Sequence, residues 1–210
     1  MKDEFQDLFT IYAPIAAAVF AVILLAYIGI IVRFRRRRAA GEAPEPPQPR
    51  EHWRWEVAYA VALAVVAAVL ITLSLRAADR VGKLSANPGL TVDVTAFKWQ
   101  WAFDYRGEGV KITGDEGSEP TLTVPADTTV RFTLKSNDVI HSFWIPNVRF
   151  KRDAFPNRTT EFDLRFTDLG QHEGICAEFC GLDHTIMRFQ VDVLPPDQFA
   201  SWLTRAQAAS

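Results

Sequence analysis

At 210 residues the chain has room for one ordinary domain plus attachments, and its 49% hydrophobic share is unremarkable as a total. A net charge of −2 argues against a nucleic-acid binder, which needs a basic excess. The information lies in how the apolar residues are distributed.

Residues 11–32, "IYAPIAAAVFAVILLAYIGIIV", form a 22-residue run without charge. As a helix such a run rises about 33 Å, enough to cross a hydrocarbon core. A cleaved secretory signal is the competing explanation for an N-terminal apolar run. The preceding "MKDEFQDLF" is acidic, however, and the basic residues Arg33 and Arg35–Arg38 follow the run instead. A retained helix fits better. The second run, Val57 to Leu75, is 19 uncharged residues ending at Arg76.

Between them, loop 33–54 carries seven arginines against Glu42, Glu45 and Glu51. By the positive-inside bias this loop is cytoplasmic, and both chain ends lie on the opposite side. Its centre, "AAGEAPEPPQPR", is a Pro-rich, extended connector. The arginine run abuts a membrane helix, so lipid headgroups are better partners for it than nucleic acid. Segment 79–197 holds 13 Lys/Arg against 18 Asp/Glu. That acidity suits a basic protein partner, although an ordinary solvated surface explains it equally well.

From Leu90 the period changes. "LTVDVTAFKWQWAFDY" alternates and is rich in β-branched and aromatic residues, as a strand or bent strand pair should be. "TLTVPADTTVRFTLKS" reads as two strands broken at Pro125–Ala126–Asp127. "TTEFDLRFT" puts Phe162, Leu164 and Phe166 on one face, and "MRFQVDVL" closes the series before Pro195–Pro196. Short strands with frequent turns predict a β sandwich or barrel. The expected organisation is a helical hairpin over 1–76, a linker over 77–89 and an all-β domain over 90–195. Residues 196–210 form a tail with a short surface helix.

The two cysteines, Cys176 and Cys180, sit in "GICAEFCGLDHTIM". On an oxidising side of the membrane a disulfide is permitted, but it would close a very small loop and restrain little. Glu178 lies between them, with His184 and Met187 just beyond. Thiolates, imidazole and thioether form a soft donor set that selects copper over magnesium or calcium. Zinc accepts Cys and His too, but has little use for the thioether. A second imidazole is available from His141 in "SNDVIHSFWIP", directly after a predicted strand. A hydrogen-bonded structural histidine is the bland alternative there.

Together "DVIHSFWIP", "FKRDAFPNR" and "GICAEFCGLDHTIM" resemble the dinuclear copper A domain of subunit II of haem–copper cytochrome c oxidases, behind two N-terminal helices as in that family. The resemblance implies a cupredoxin-like Greek-key domain. It implies two copper ions bridged by the thiolates of Cys176 and Cys180, with His141 and His184 as terminal ligands. Met187 and the backbone carbonyl of Glu178 would be weak ligands. The Glu178 carboxylate would help hold a Mg2+ ion shared with subunit I. Trp99, in "FKWQWAFDY", falls where the family accepts electrons from a c-type cytochrome, with Trp101, Phe103 and Tyr105 completing the patch. A strand packing its aromatics in a core is the plainer reading. Asp104, Glu108, Asp115, Glu116 and Asp138 are candidates for an acidic docking rim; Asp138 matches the family's position best.

Glu56, at the start of the second helix, corresponds to a glutamate near the mouth of a proton pathway; a carboxylate favoured by the helix dipole is an equal explanation. The resemblance also implies subunits I and III as partners, haem confined to subunit I, and a two-pass protein of a bacterial plasma membrane or organellar inner membrane. A nitric oxide reductase subunit with the same copper centre and a stand-alone membrane-tethered copper protein remain alternatives. Tyr59 stands where many relatives have Trp, the second helix lacks a common proline, and His172 matches no family ligand. The sequence holds no C-x-x-C-H, so no c-type haem is attached to it.

Overall fold

A computed structural model describes residues 2–41, 52–115 and 117–209. The Pro-rich connector and Glu116 lie outside the described residues. The chain divides into two compact units, one holding residues 3–79 and the other residues 80–210.

The first unit is built from α1 (Lys2–Ala39) and most of α2 (Trp53–Gly82), both long and apolar enough to cross a membrane. Each helix overruns its uncharged run. The flanks contain good helix formers and no breaker, so α1 continues through Arg33–Arg38 and α2 through Ala77–Gly82, the first half of the expected linker. The apolar run marks a hydrocarbon-length segment rather than the ends of a helix. Phe20, Leu25, Tyr27, Leu63 and Ile71 are all exposed, which suits lipid or an apolar partner rather than water. The two helices are tied by Tyr12, whose hydroxyl lies 2.5 Å from both the Leu70 carbonyl and the Ser74 hydroxyl.

Among the described residues the second unit is a sandwich of ten strands: β1 (Leu90–Phe97), β2 (Gln100–Tyr105), β3 (Val110–Thr113), β4 (Thr121–Pro125), β5 (Thr129–Ser136), β6 (His141–Ile145), β7 (Phe150–Ala154), β8 (Thr160–Arg165), β9 (Gly170–Cys176) and β10 (Arg188–Leu194). One sheet runs β3-β2-β1-β5-β8 and the other β4-β10-β9-β6-β7. Pairing is antiparallel except between β1 and β5 and between β4 and β10. Alternation sets the inward faces. Val92, Val94 and Ala96 of β1, Val130, Phe132 and Leu134 of β5, and Phe189, Val191 and Val193 of β10 are all buried. Aromatic rings bind the layers together, with Phe103 edge-on to Phe189 at 5.5 Å and Phe150 against Phe162 at 4.4 Å. Helix α3 (Pro196–Ala209) buries Phe199 and sets Trp202 against Tyr105 at 5.2 Å.

This topology gathers four chain segments at one end of the sandwich. There β6 begins at His141, β9 ends at Cys176 and β10 follows directly on Met187. The register pairs Phe143 with Cys176 and Arg188 with Ile175. Two backbone bonds complete the seam, from the Cys176 N–H to the Met187 carbonyl (3.0 Å) and from the Ala177 N–H to the Ser142 carbonyl (3.0 Å). The turn between β1 and β2, carrying Lys98 and Trp99, is the fourth segment.

Candidate metal centre

Both cysteines are free and buried. Their sulfurs lie 3.8 Å apart, so the disulfide reading gives way to two thiols facing one shared space. Each thiol has its own retinue. Cys176 Sγ is 3.9 Å from His141 Nδ1 and 3.3 Å from the Glu178 carbonyl oxygen. Cys180 Sγ is 3.6 Å from His184 Nδ1 and 3.8 Å from Met187 Sδ. The donor atoms of His141, Cys176 and Cys180 all fall within 4.8 Å of one another. Local chain geometry accounts for this. Cys176 ends a strand, and Gly181, at a φ of +121°, turns the loop that carries His184 and Met187 back toward it.

These separations fit metal ligation. Donors about 2.0–2.3 Å from a metal stand roughly 3.3–3.8 Å apart at tetrahedral angles. A single tetrahedral zinc uses four donors. Here six converge, divided into two similar sets of sulfur, imidazole and one weaker donor. The thioether in one set is a soft ligand suited to copper.

The electrostatics point the same way. Burial alone would raise the Cys176 thiol, but His141, the backbone at Glu178 and Ser142, and His184 outweigh it and hold the thiol well below its usual range. Burial and then the charge of Cys176 push the Cys180 thiol up. The pair loses one proton readily and the second reluctantly. Burial would lower His141, yet the adjacent thiol and Asp138 raise it.

Trp99 is half-buried, and its indole N–H donates to the Cys180 carbonyl at 3.2 Å. A Cβ placed on Gly181 would stand only 3.2–3.6 Å from that indole, so ring and loop are in direct contact. Trp101, Phe103 and Tyr105 do not extend an aromatic surface patch around it. All three are fully buried, because alternation along β2 puts them together on its inward face, whereas Trp99 lies in the turn before the strand. Trp101 instead sits edge-on to His141, ring centroids 6.3 Å apart. Tyr105 donates its hydroxyl to the Thr123 carbonyl and accepts the Thr123 N–H.

The Glu178 side chain is exposed, while its carbonyl approaches the Cys176 sulfur. Asp104 and Asp115 are exposed, and Glu108 is held by Gln207 of α3. Asp138 is exposed as well and differs from the others in its hydrogen bonds. Its carboxylate accepts from His141 Nε2 at 2.8 Å and from the Lys98 N–H at 2.7 Å. Burial would raise that carboxyl, but these donors outweigh it and hold it below the usual range. The i, i+3 spacing of Asp138 and His141 was the sequence signal for this contact. Glu56 lies in the first turn of α2 and is exposed, its N–H bonded to the His52 carbonyl. His172 takes no part in the centre; its ring bonds Asn147 (2.6 Å) and the Asp168 carbonyl (2.7 Å).

Comparison with known proteins places this geometry. Residues 115–194 match the family model "Cytochrome C oxidase subunit II, periplasmic domain". A probable cytochrome c oxidase subunit 2 of Streptomyces avermitilis is 32% identical over 174 residues, 65% of this chain and 54% of the relative. Cytochrome c oxidase subunit 2 of Thermostichus vulcanus is 39% identical over 122 residues, 58% of this chain and 35% of the relative. The chain thus spans about half, or less, of the length of the curated relatives it matches. Among solved structures, the periplasmic domain of subunit II of cytochrome oxidase from Bradyrhizobium japonicum superposes with a TM-score of 0.55 at 28% identity, covering 60% of this chain and 99% of that one.

Proposed function

We propose that the chain, which is similar to cytochrome c oxidase subunit II, is a member of that family, accepts electrons from a c-type cytochrome at a dinuclear copper A centre and passes them to haem in subunit I, where oxygen is reduced to water. The observation that carries this reading is the pairing of donors: two buried thiols 3.8 Å apart, each with its own imidazole and one weak donor. Cys176, Cys180, His141, His184, Met187 and the Glu178 carbonyl would hold the two ions. Copper held by these residues would supply one-electron transfer at the site.

The chain's own residues do the rest. Burial of both thiols keeps water from the ligands, and the β6–β9 seam fixes His141 and Cys176 on a rigid frame. Trp99 lies against the loop bearing Cys180 and His184 and touches the Cys180 carbonyl, which supports its role as the point of electron uptake. Around it Phe179, Leu182 and Ile186 are exposed apolar side chains on the ligand loop, an arrangement suited to docking. Asp104 and Asp115 supply negative charge for steering a basic cytochrome. The exposed Glu178 carboxylate would contribute a hard oxygen to a Mg2+ ion shared with subunit I. Glu56, exposed on α2, is assigned to the mouth of the proton path of a proton-translocating oxidase.

The arginine asymmetry and the two helices support a two-pass protein of a bacterial plasma membrane or organellar inner membrane, both ends extracytoplasmic, and the family resemblance supports subunits I and III as neighbours. The test is electron paramagnetic resonance of the copper-loaded chain. A seven-line copper pattern with a near-infrared band is expected. A four-line pattern, or zinc alone by metal analysis, rejects the dinuclear reading.

A further inference from the structure

The first unit carries a concentration of charge that electron transfer does not use. Arg33 and Arg35–Arg38 lie at the end of α1, Arg54 lies in the first turn of α2, and all six side chains are exposed. Among the described residues none of them has a carboxylate partner, and Glu56 is the one described acid on residues 33–41 and 52–58. On either side of Arg54, Trp53 and Trp55 are 66% and 76% exposed. With His52, Arg54 and Ala58 they line a concavity of about 590 Å³. We propose that these two helix ends jointly form a binding surface for anionic phospholipid headgroups of the cytoplasmic leaflet, so that the hairpin keeps such lipids beside it in preference to zwitterionic ones.

The helix register brings both ends to one level. Tyr12 meets Leu70 and Ser74, and the groove between the helices, lined by residues 9–23 of α1 and 63–70 of α2, keeps that alignment. Counting from that contact along an antiparallel pair, Trp53 and Trp55 come level with about residues 27–33 of α1. The indoles therefore stand at the last turn of the apolar run, where amphipathic rings favour a membrane interface, and Arg33 follows at once. From Val32 to Arg38 the helix rises about 9 Å, close to the depth of a headgroup layer, roughly 5–8 Å on each side of the hydrocarbon. Because α1 stays helical to Ala39, the arginines are held on a rigid rod. Residues 35–38 advance about 100° each and so cover most of its circumference. A protein partner docked on one face would leave part of that ring unmatched, whereas a layer of headgroups surrounds it. A guanidinium offers parallel N–H donors to a phosphate, and an anionic headgroup adds the net charge that a zwitterionic one lacks.

This inference rests on the two-pass reading but not on the copper centre. The test reconstitutes the full chain in phosphatidylcholine vesicles with about one part in ten of phosphatidylglycerol, brominated on the acyl chains of one lipid or the other. Both leaflets have the same composition, so the direction of insertion does not matter. Bromine quenches indoles it touches, and a chain carrying Trp53→Phe and Trp55→Phe isolates these two from the other tryptophans. Brominated phosphatidylglycerol should quench them as though enriched about fivefold over its share of the bilayer, the attraction of roughly one arginine near an anionic surface. Changing all six arginines to Gln (R33Q, R35Q, R36Q, R37Q, R38Q and R54Q) should return quenching to the random-mixing value. The corresponding Lys variants should keep most of the enrichment, and circular dichroism should show the helices intact in both sets. Random mixing around the wild-type chain, or unchanged enrichment around the Gln variant, overturns the proposal. So does inorganic phosphate that erases the enrichment at constant ionic strength, which would make the surface one for free phosphate. A chain that does not enter the vesicles refutes the two-pass reading and the proposal with it, a result distinct from random mixing around an inserted hairpin.

Discussion

Gly181→Ala isolates the turn on which the metal loop depends. Gly181 has a φ of +121°, in the region L side chains avoid, and such strain costs about 1–3 kcal/mol. The added Cβ would also stand 3.2 Å from Trp99 Cζ2 and 3.3 Å from its Nε1, so the indole must yield by tenths of an ångström. Neither cost falls on the sandwich core, since Gly181 lies in the loop between β9 and β10. With no metal to hold it, the loop can relax and shed the strain; a bound metal pins Cys180 and His184 and restores it. The expected result is therefore a metal affinity weakened roughly 5- to 150-fold, by 1.4 kcal/mol per tenfold, with little change in the melting temperature of the metal-free protein. Competition against a chelator of known affinity measures the first, and thermal denaturation the second. Adding Trp99→Ala should recover only the steric part, because the backbone strain stays. Wild-type affinity and melting in Gly181→Ala would refute the reasoning, and so would full recovery in the double variant.

Gly174→Ala tests the frame behind the ligands: its Cβ would meet the Phe189 ring at 2.1 Å. Overpacking of this kind costs about 1–3 kcal/mol or more, so calorimetry should record a melting temperature lower by several degrees. Trp99→Phe removes the indole donor to Cys180 and should slow oxidation of cytochrome c in stopped-flow traces while sparing the copper spectrum; loss of the spectrum would make Trp99 structural. Asp163 is paired with Arg131 at 2.8 Å and accepts the Ser85 N–H at 2.6 Å. Burial would raise its carboxyl, yet those partners hold it below the usual range. A depressed folded value contributes stability above the unfolded value of about 3.9, and that stability is lost as pH falls through the folded one. Asp163→Asn should therefore destabilise the domain at neutral pH and flatten its acid unfolding below about pH 4; an unchanged acid limb would contradict this.

The helices, the β period and the soft donor set were legible because each is a local pattern. Apolar runs, alternation and the close spacing from Cys176 to Met187 need no knowledge of the rest of the chain. What escaped was decided by tertiary packing. Trp101, Phe103 and Tyr105 share a short aromatic stretch with Trp99, but only the fold separates the turn residue from the core residues of β2. The bond between the Lys98 N–H and Asp138, at 2.7 Å, likewise joins segments far apart in sequence. The convergence of His141 with the cysteines was suggested by order along the chain. Its physical cause is the β6–β9 register, which no single segment encodes.

The choice among disulfide, zinc and copper turns on charge as much as on donor count. Cys176 is poised to ionise, whereas burial and its charge hold the proton on Cys180. Two thiolates at 3.8 Å in a buried site repel strongly unless a cation lies between them. A disulfide would remove both charges, but the sulfurs stand well beyond bonding reach, held by seams on either side. One zinc ion would neutralise both charges and still leave two of the six donors without a task. Two cations there would give every donor a partner. They also make the reluctant second proton the one that metal must displace, so loading should release protons and weaken as pH falls. A pH-independent metal affinity between pH 5 and 8 would break that argument at its first step.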